Sequence, residues 1–414
     1  MNPFGIVFLA SLAASVLLHH WLDLRQVRHV LVHRNTVPVA FRDRIPLTAH
    51  QRAADYTAAR TRLGSLEGLY QATLLLGWTL GGGLQLVDHL WRGLGLTPLL
   101  TGVGVMITVF ALMTLLELPF SFYHTFVLEQ RFGFNRITLA LFGADLLRQL
   151  ALLLLLGSPV AWVALWLMAH SGALWWLYVW AVWIGFGLLM TWAYPTLIAP
   201  LFNRFTSLED ATLRTRIEAL LKRCGFSSRG IYIMDGSRRS AHGNAYFTGL
   251  GNHKRIVFFD TLLEGLAHDE VEAILAHELG HFRLRHVVKR LVYMALLSLA
   301  GLALLAWLIR APWFYSGLGI HTPSDHTALL LFLLVSPVFG FILQPLAARL
   351  SRRHEYEADA FAARQTDPSA LIRALVKLYK ENASTLTPDP LYSAFHDSHP
   401  PAPLRVAHLS SKMS

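Results

Sequence analysis

HELGHFRLRHVVKRLVYMALLSLAGLALLAWL, residues 277–308, runs a metal-binding pattern straight into a membrane-spanning one. His277 and His281 lie one helical turn apart, so both imidazoles leave the same face. One rigid helix can therefore supply two nitrogen ligands to Zn²⁺. Glu278 follows the first of them and lies beside the open coordination position, where a carboxylate can take the proton from an attacking water. The plainer reading is a polar helix face that carries two histidines. Placement on a predicted helix beginning near Asp269 favours the metal, because the mechanism needs that periodicity. Gly280 weakens such a helix by about 1 kcal/mol relative to alanine, and its missing side chain admits a close neighbour.

The rest of the chain is written for lipid. Of 414 residues 54% are hydrophobic and only 15% charged, whereas soluble domains carry about a quarter charged residues. A span needs about 20 mostly apolar residues, and seven stretches qualify: 3–22, 68–91, 97–117, 139–168, 173–198, 288–310 and 326–349. Asp145, Arg148 and Gln149 interrupt the fourth. The first is read as a retained span, since no basic n-region or small-residue cleavage site accompanies it.

Positive charge lies on alternate connections. Loop 23–65 holds eight arginines, and 199–287 and the tail after 350 are also basic, while 93–96, 169–172 and 311–325 carry almost no charge. The positive-inside rule then places both long polar blocks in the cytoplasm and the N-terminus outside. The same distribution explains the net charge of +10 without nucleic acid. A single cysteine, Cys224, excludes an internal disulfide and a cysteine-based metal site.

The expected architecture is mainly α: about seven transmembrane helices with a small α/β zinc-peptidase part. Segment 1–198 holds five transmembrane helices and the arginine-rich loop. Segment 199–287 is cytoplasmic and catalytic, 288–349 holds spans six and seven, and 350–414 is a cytoplasmic tail. Within the catalytic block, SLEDATLRTRIEALLKRCG reads as a helix and IYIM as a strand. NAYFTGLGNHKRIVFFD reads as a hairpin turning at Gly-Asn.

A catalytic zinc needs a third protein ligand. HEYEAD, residues 354–359, follows the seventh span and offers it. On a helix Glu355 and Asp359 share a face, while Glu357 points away toward solvent. Glu355 is assigned to the metal. Asp359 is assigned to the free N–H of His277, which would fix that ring's tautomer. His242, His253, His268, His286, His396 and His408 have no ligand spacing and read as boundary or loop histidines.

Several longer motifs carry a resemblance. ELPFSFYHTFVLEQRFGFN (117–135), IAPLFNRFTSLED (198–210) and HGNAYFTGLGNHKRIVFFDTLL (242–263) are three of them. With HELGH, SRRHEYEADAFA (351–362) and DPLYSAFHDSHPPAPLR (389–405), the chain resembles the type I CAAX prenyl endopeptidases, seven-span membrane zinc proteases. The resemblance implies a hydrated chamber enclosed by the helices, one zinc ion per chain, and cleavage beside a prenylated cysteine near a substrate's C-terminus. Its partners would be a lipidated or membrane-associated peptide and the bilayer itself. It also implies an edge strand at Asn244, Ala245 and Tyr246, which would hold the substrate extended through main-chain hydrogen bonds. His399 and Arg405 would then be cationic donors at the developing oxyanion. The short connection 311–325 resembles bacterial members, which implies a bacterial inner membrane with the site on its cytoplasmic side.

Two rivals share parts of this pattern. A membrane quality-control protease would use the same chemistry. A transporter or channel with structural zinc would be expected to show repeat symmetry, and no internal repeat is visible.

Overall fold

The computed structural model describes residues 2–226, 228, 230–248 and 255–412. The fold is mainly helical. Its principal helices are α1 (Pro3–Val32), α2 (Leu47–Trp78), α3 (Gly83–Arg92), α4 (Pro98–Tyr123), α5 (Leu139–Leu152), α6 (Ser158–His170) and α7 (Trp175–Ala193). They continue with α8 (Ala211–Arg223), α9 (His268–Arg283), α10 (His286–Leu308), α11 (Asp325–Gly340), α12 (Gln344–Gln365), α13 (Pro368–Glu381) and α14 (Ala402–Ser410).

Among the described residues, six helical stretches are long and apolar enough to cross a membrane: Pro3–Val32, Pro98–Glu129, Leu139–His170, Gly172–Phe202, His286–Leu308 and Asp325–Gln365. The stretch expected as the second span, 68–91, is divided between the end of α2 and α3. Three consecutive glycines, 81–83, cause the break, and Gly82 sits in the left-handed region at φ 77°, where a side chain is costly. Along the spans, Leu17, Leu155, Leu189 and Leu297 are each more than half exposed. In water such surface would drive association; in hydrocarbon it is the solvated face.

The interior of this helical part is polar in places. A cavity of about 370 Å³ is lined in part by Ser15, His19, His20, Ser65, Gln71 and Glu117. Ionisable groups at membrane depth are costly and turn toward an interior or a partner. Glu117 accepts a hydrogen bond from Gln71 (3.1 Å). Asp88, only 1% exposed, is held by Arg92 and by His326, which lies 2.6 Å away.

The polar segments build a second core around a four-stranded sheet. Strands β1 (Phe205–Ser207), β2 (Ile231–Met234), β3 (Ala245–Thr248) and β4 (Arg255–Phe259) lie in the order β1-β2-β4-β3. The β2–β4 pair is parallel and the other two are antiparallel. β3 is therefore an edge. Strands β3 and β4 pair as the expected hairpin does, although its Gly-Asn turn lies outside the described residues.

Ile217 and Leu220 of α8, Phe258 of β4, Leu275 and Leu279 of α9, Leu371 of α13 and Leu409 of α14 share one hydrophobic core. That common burial fixes α9 against the tail helices, though the two are remote in sequence. Asp145 of α5 joins this block to the membrane helices. It pairs with Arg148 at 2.7 Å and accepts two hydrogen bonds from Arg239, each 3.0 Å.

Candidate metal centre

Helix α9 starts where its sequence says it should. The Glu270 carboxylate accepts the Ala267 N–H at 2.8 Å, which satisfies one unpaired donor of the first turn. Asp269 and Glu270 also place negative charge at the helix N-terminus, the end that favours it. From there to Gly280 nearly every residue is buried. Gly280 lies where α12 crosses: a Cβ there would come within 3.0 Å of the Ala358 Cα. Any side chain would push the two helices apart.

The crossing brings His277, His281 and Glu355 together. The His277 and His281 Nε2 atoms are 3.2 Å apart. Glu355 Oε1 lies 3.2 Å from His281 Nε2, and its Oε2 lies 3.5 Å from His277 Nε2. Ligand atoms held tetrahedrally at about 2.0–2.1 Å from zinc would be roughly 3.3 Å apart. The observed separations match that requirement. Glu355 is only 4% exposed, and its Oε2 accepts no hydrogen bond within the protein. His399 Nδ1 is 2.7 Å from that oxygen but not aligned with it as a hydrogen bond. A buried carboxylate converging with two imidazole nitrogens at these separations could hold a metal ion. The donor set, two nitrogens and a carboxylate, suits zinc.

Behind His277 stands Asp359, fully buried, with Oδ1 2.8 Å from His277 Nδ1. Arg405 holds the same carboxylate through Nε at 2.9 Å and Nη2 at 2.5 Å. The resemblance implies that Arg405 stands at the oxyanion. In the structure the guanidinium is buried and two of its nitrogens are committed to Asp359. Its Nη1 lies 3.7 Å from Glu355 Oε2. His399, by contrast, is largely exposed beside Glu355. Glu278, next to His277 on α9, is partly buried.

β3 packs against α9. Ala245 and Phe247 turn toward the hydrophobic core, so Asn244 and Tyr246 belong to the opposite face of the pleat. Asn244 is exposed, and its carbonyl accepts the Phe259 N–H at 2.9 Å. The outer edge of β3 has no neighbouring strand among the described residues.

Three residues read as unpartnered or solvated have partners. His286 bonds His281 and Glu357, so Glu357 does not simply face solvent. His242 lies 3.2 Å from Glu129, whose other oxygen accepts the Tyr56 hydroxyl at 2.5 Å, while Asn382 holds the second ring nitrogen at 3.2 Å. His242 and Glu129 fall within two of the long motifs, and that is the signal that could have found the pair.

The metal-free site binds protons as well. Burial opposes charge on His277, but the neighbouring carboxylates of Asp359 and Glu355 outweigh it and raise its pKa to about 9. A raised value means the proton is held at neutral pH, and metal needs that lone pair. Zinc binding at pH 7.5 should therefore release a proton from His277, and apparent affinity should rise with pH until about 9. Calorimetry in two buffers of different ionisation enthalpy measures it; equal heats in both would refute the linkage.

Residues 26–204 match the family described as CAAX prenyl protease N-terminal, five membrane helices, and residues 207–413 match peptidase family M48. CAAX prenyl protease 1 of Saccharomyces cerevisiae is 37% identical over 322 residues, covering 72% of this chain and 70% of that protein. The Dictyostelium discoideum homologue is 32% identical, covering 98% and 97%. The crystal structure of Ste24p from S. mikatae superposes with a TM-score of 0.91 at 30% identity, covering 99% of both chains.

Proposed function

The chain belongs to peptidase family M48, with the five-helix membrane region of CAAX prenyl proteases, and from that premise we propose the substrate, the site's position and the residue roles. It is an integral multi-pass membrane zinc metalloendopeptidase. Its proposed substrates are lipid-anchored peptides, cut on the C-terminal side of a prenylated cysteine, at the cytoplasmic boundary of the membrane.

One observation carries this reading. α9 is separated from the membrane span α10 by two residues, Leu284 and Arg285, and α12 continues from the span α11. Each helix that bears part of the proposed ligand triad lies next to a span in the chain, which supports a site near the boundary. A substrate with a lipid and a polar scissile peptide needs such a place. Each buried CH₂ contributes about 0.8 kcal/mol, so the lipid favours hydrocarbon, while the peptide must reach water.

His277, His281 and Glu355 would hold the zinc, one ion per chain. Bound zinc supplies Lewis acidity, polarising the scissile carbonyl and acidifying water. Glu278 takes the proton from the attacking water and delivers it to the departing amine. The β3 edge at Asn244–Tyr246 aligns the peptide through main-chain hydrogen bonds. His399, exposed beside Glu355, donates to the developing oxyanion. Arg405 is reassigned: it anchors Asp359, and Asp359 orients His277.

We place the protein in a bacterial cytoplasmic membrane because the connection between α10 and α11 is short. The relatives compared above include yeast and slime-mould proteins, and they bear on the family rather than on this branch.

Purified protein given a farnesylated CAAX peptide and its unprenylated twin tests the substrate class. Release of the C-terminal tripeptide should be favoured for the farnesylated form by at least about tenfold in kcat/KM, or ~1.4 kcal/mol of transition-state binding. Equal rates would point instead to a quality-control protease.

A further inference from the structure

We propose that His286 and Glu357 are positioning residues for the ligand His281, forming a relayed counterpart to the direct Asp359 contact on His277. His281 Nδ1 lies 3.0 Å from His286 Nδ1, and His286 Nε2 lies 3.0 Å from Glu357 Oε2. With His281 Nε2 turned toward the metal, the tautomers are assigned in sequence. His281 Nδ1–H donates to His286 Nδ1, and His286 Nε2–H donates to Glu357. Every donor meets an acceptor, and the chain ends on a carboxylate.

A buried histidine satisfied only for the sake of the fold would not need this construction. The His286 ring is 4% exposed and lies under the His354 ring, with centroids 4.0 Å apart and planes 11° from parallel. His354 immediately precedes the ligand Glu355. The ring is aimed by the turn between α9 and α10, where Arg285 sits at φ 58°. A residue with a Cβ adopts that left-handed conformation sparingly, and it persists where the surroundings fix it. Glu357 is itself braced by Arg353, whose Nε is 3.0 Å from Oε1.

The alternation in HEYEAD thereby acquires a meaning. Glu355 reaches the metal position, Asp359 stands behind one histidine, and Glu357, on the other side of α12, stands behind the second through His286. Metal-binding histidines ordinarily give their second N–H to such an acceptor, which holds the ring in plane and raises its basicity. Without the relay, His281 could rotate or take the wrong tautomer.

The inference rests on His281 being a metal ligand. Zinc affinity, read by competition with a chromogenic chelator, tests it in the full-length protein. His286→Phe keeps a ring for His354 but removes the acceptor, and should weaken zinc about 10–100-fold. His286→Asn puts an oxygen near the lost Nδ1 and should recover most of that. Glu357→Ala should weaken zinc in the wild-type background and add nothing in His286→Phe, because it acts through the ring. Wild-type affinity in His286→Phe, or an undiminished Glu357→Ala effect in that background, would overturn the relay. If His286→Phe does not fold, failure of His286→Asn to outperform His286→Ala would do so. A wild-type protein that binds no zinc would overturn the ligand assignment instead.

Discussion

Glu278→Gln is expected to lower kcat by about 10²–10⁴-fold, the range a positioned general base contributes, while the protein keeps one zinc per chain. Glutamine has nearly the shape of glutamate and cannot take a proton. Because Glu278 is adjacent to His277 but is not one of the three converging side chains that could hold a metal, nothing about metal retention should change. Cleavage assays and metal analysis on the same preparation decide the matter. Loss of zinc in this variant would make Glu278 a ligand, and retention of most activity would leave the base unassigned.

Glu355→Gln and Asp359→Asn should show a crossed pattern. Glu355→Gln removes an anionic ligand from a three-residue set and should weaken zinc by well over 100-fold. Asp359→Asn loses only the orienting contact, about 10–100-fold. For fold stability the order reverses. Asp359 is fully buried against Arg405, and removing one partner of a buried ion pair costs about 3–5 kcal/mol. Without the metal Glu355 faces only the imidazoles of His277, His281 and His399, a looser set of partners than the two Arg405 nitrogens on Asp359. Thermal melts of the metal-free proteins should therefore rank Asp359→Asn below Glu355→Gln, and chelator titration should rank them the other way. The opposite pairing would mean that the two acids had been exchanged.

What could be read from the sequence was whatever local periodicity fixes. The spacing of His277 and His281 is one turn of one helix, and Glu355 and Asp359 share a face for the same reason. Span positions followed from runs of apolar residues, except where glycines 81–83 interrupt a run whose composition is otherwise continuous. Composition does not register a left-handed turn inside an apolar stretch.

The partners of Asp359 and His281 depend on long-range packing. Arg405 reaches Asp359 because α12 and α14 pack together, and no spacing rule links positions 46 apart. Spacing gives no link between His286 and His281, because five residues is not a helical repeat. It reaches that ring only because the helix ends and the chain turns through Arg285. A helical wheel turns Glu357 toward solvent because it carries no information about a second helix on that side.

The proposed mechanism requires one zinc ion held by two imidazoles and one carboxylate. X-ray absorption at the zinc edge, on purified full-length protein, addresses that directly. The expected spectrum has only nitrogen and oxygen neighbours at about 2.0–2.2 Å, with imidazole scattering, and zinc content that collapses in His281→Ala. A sulfur shell near ~2.3 Å, or zinc retained in full by His281→Ala, would contradict it.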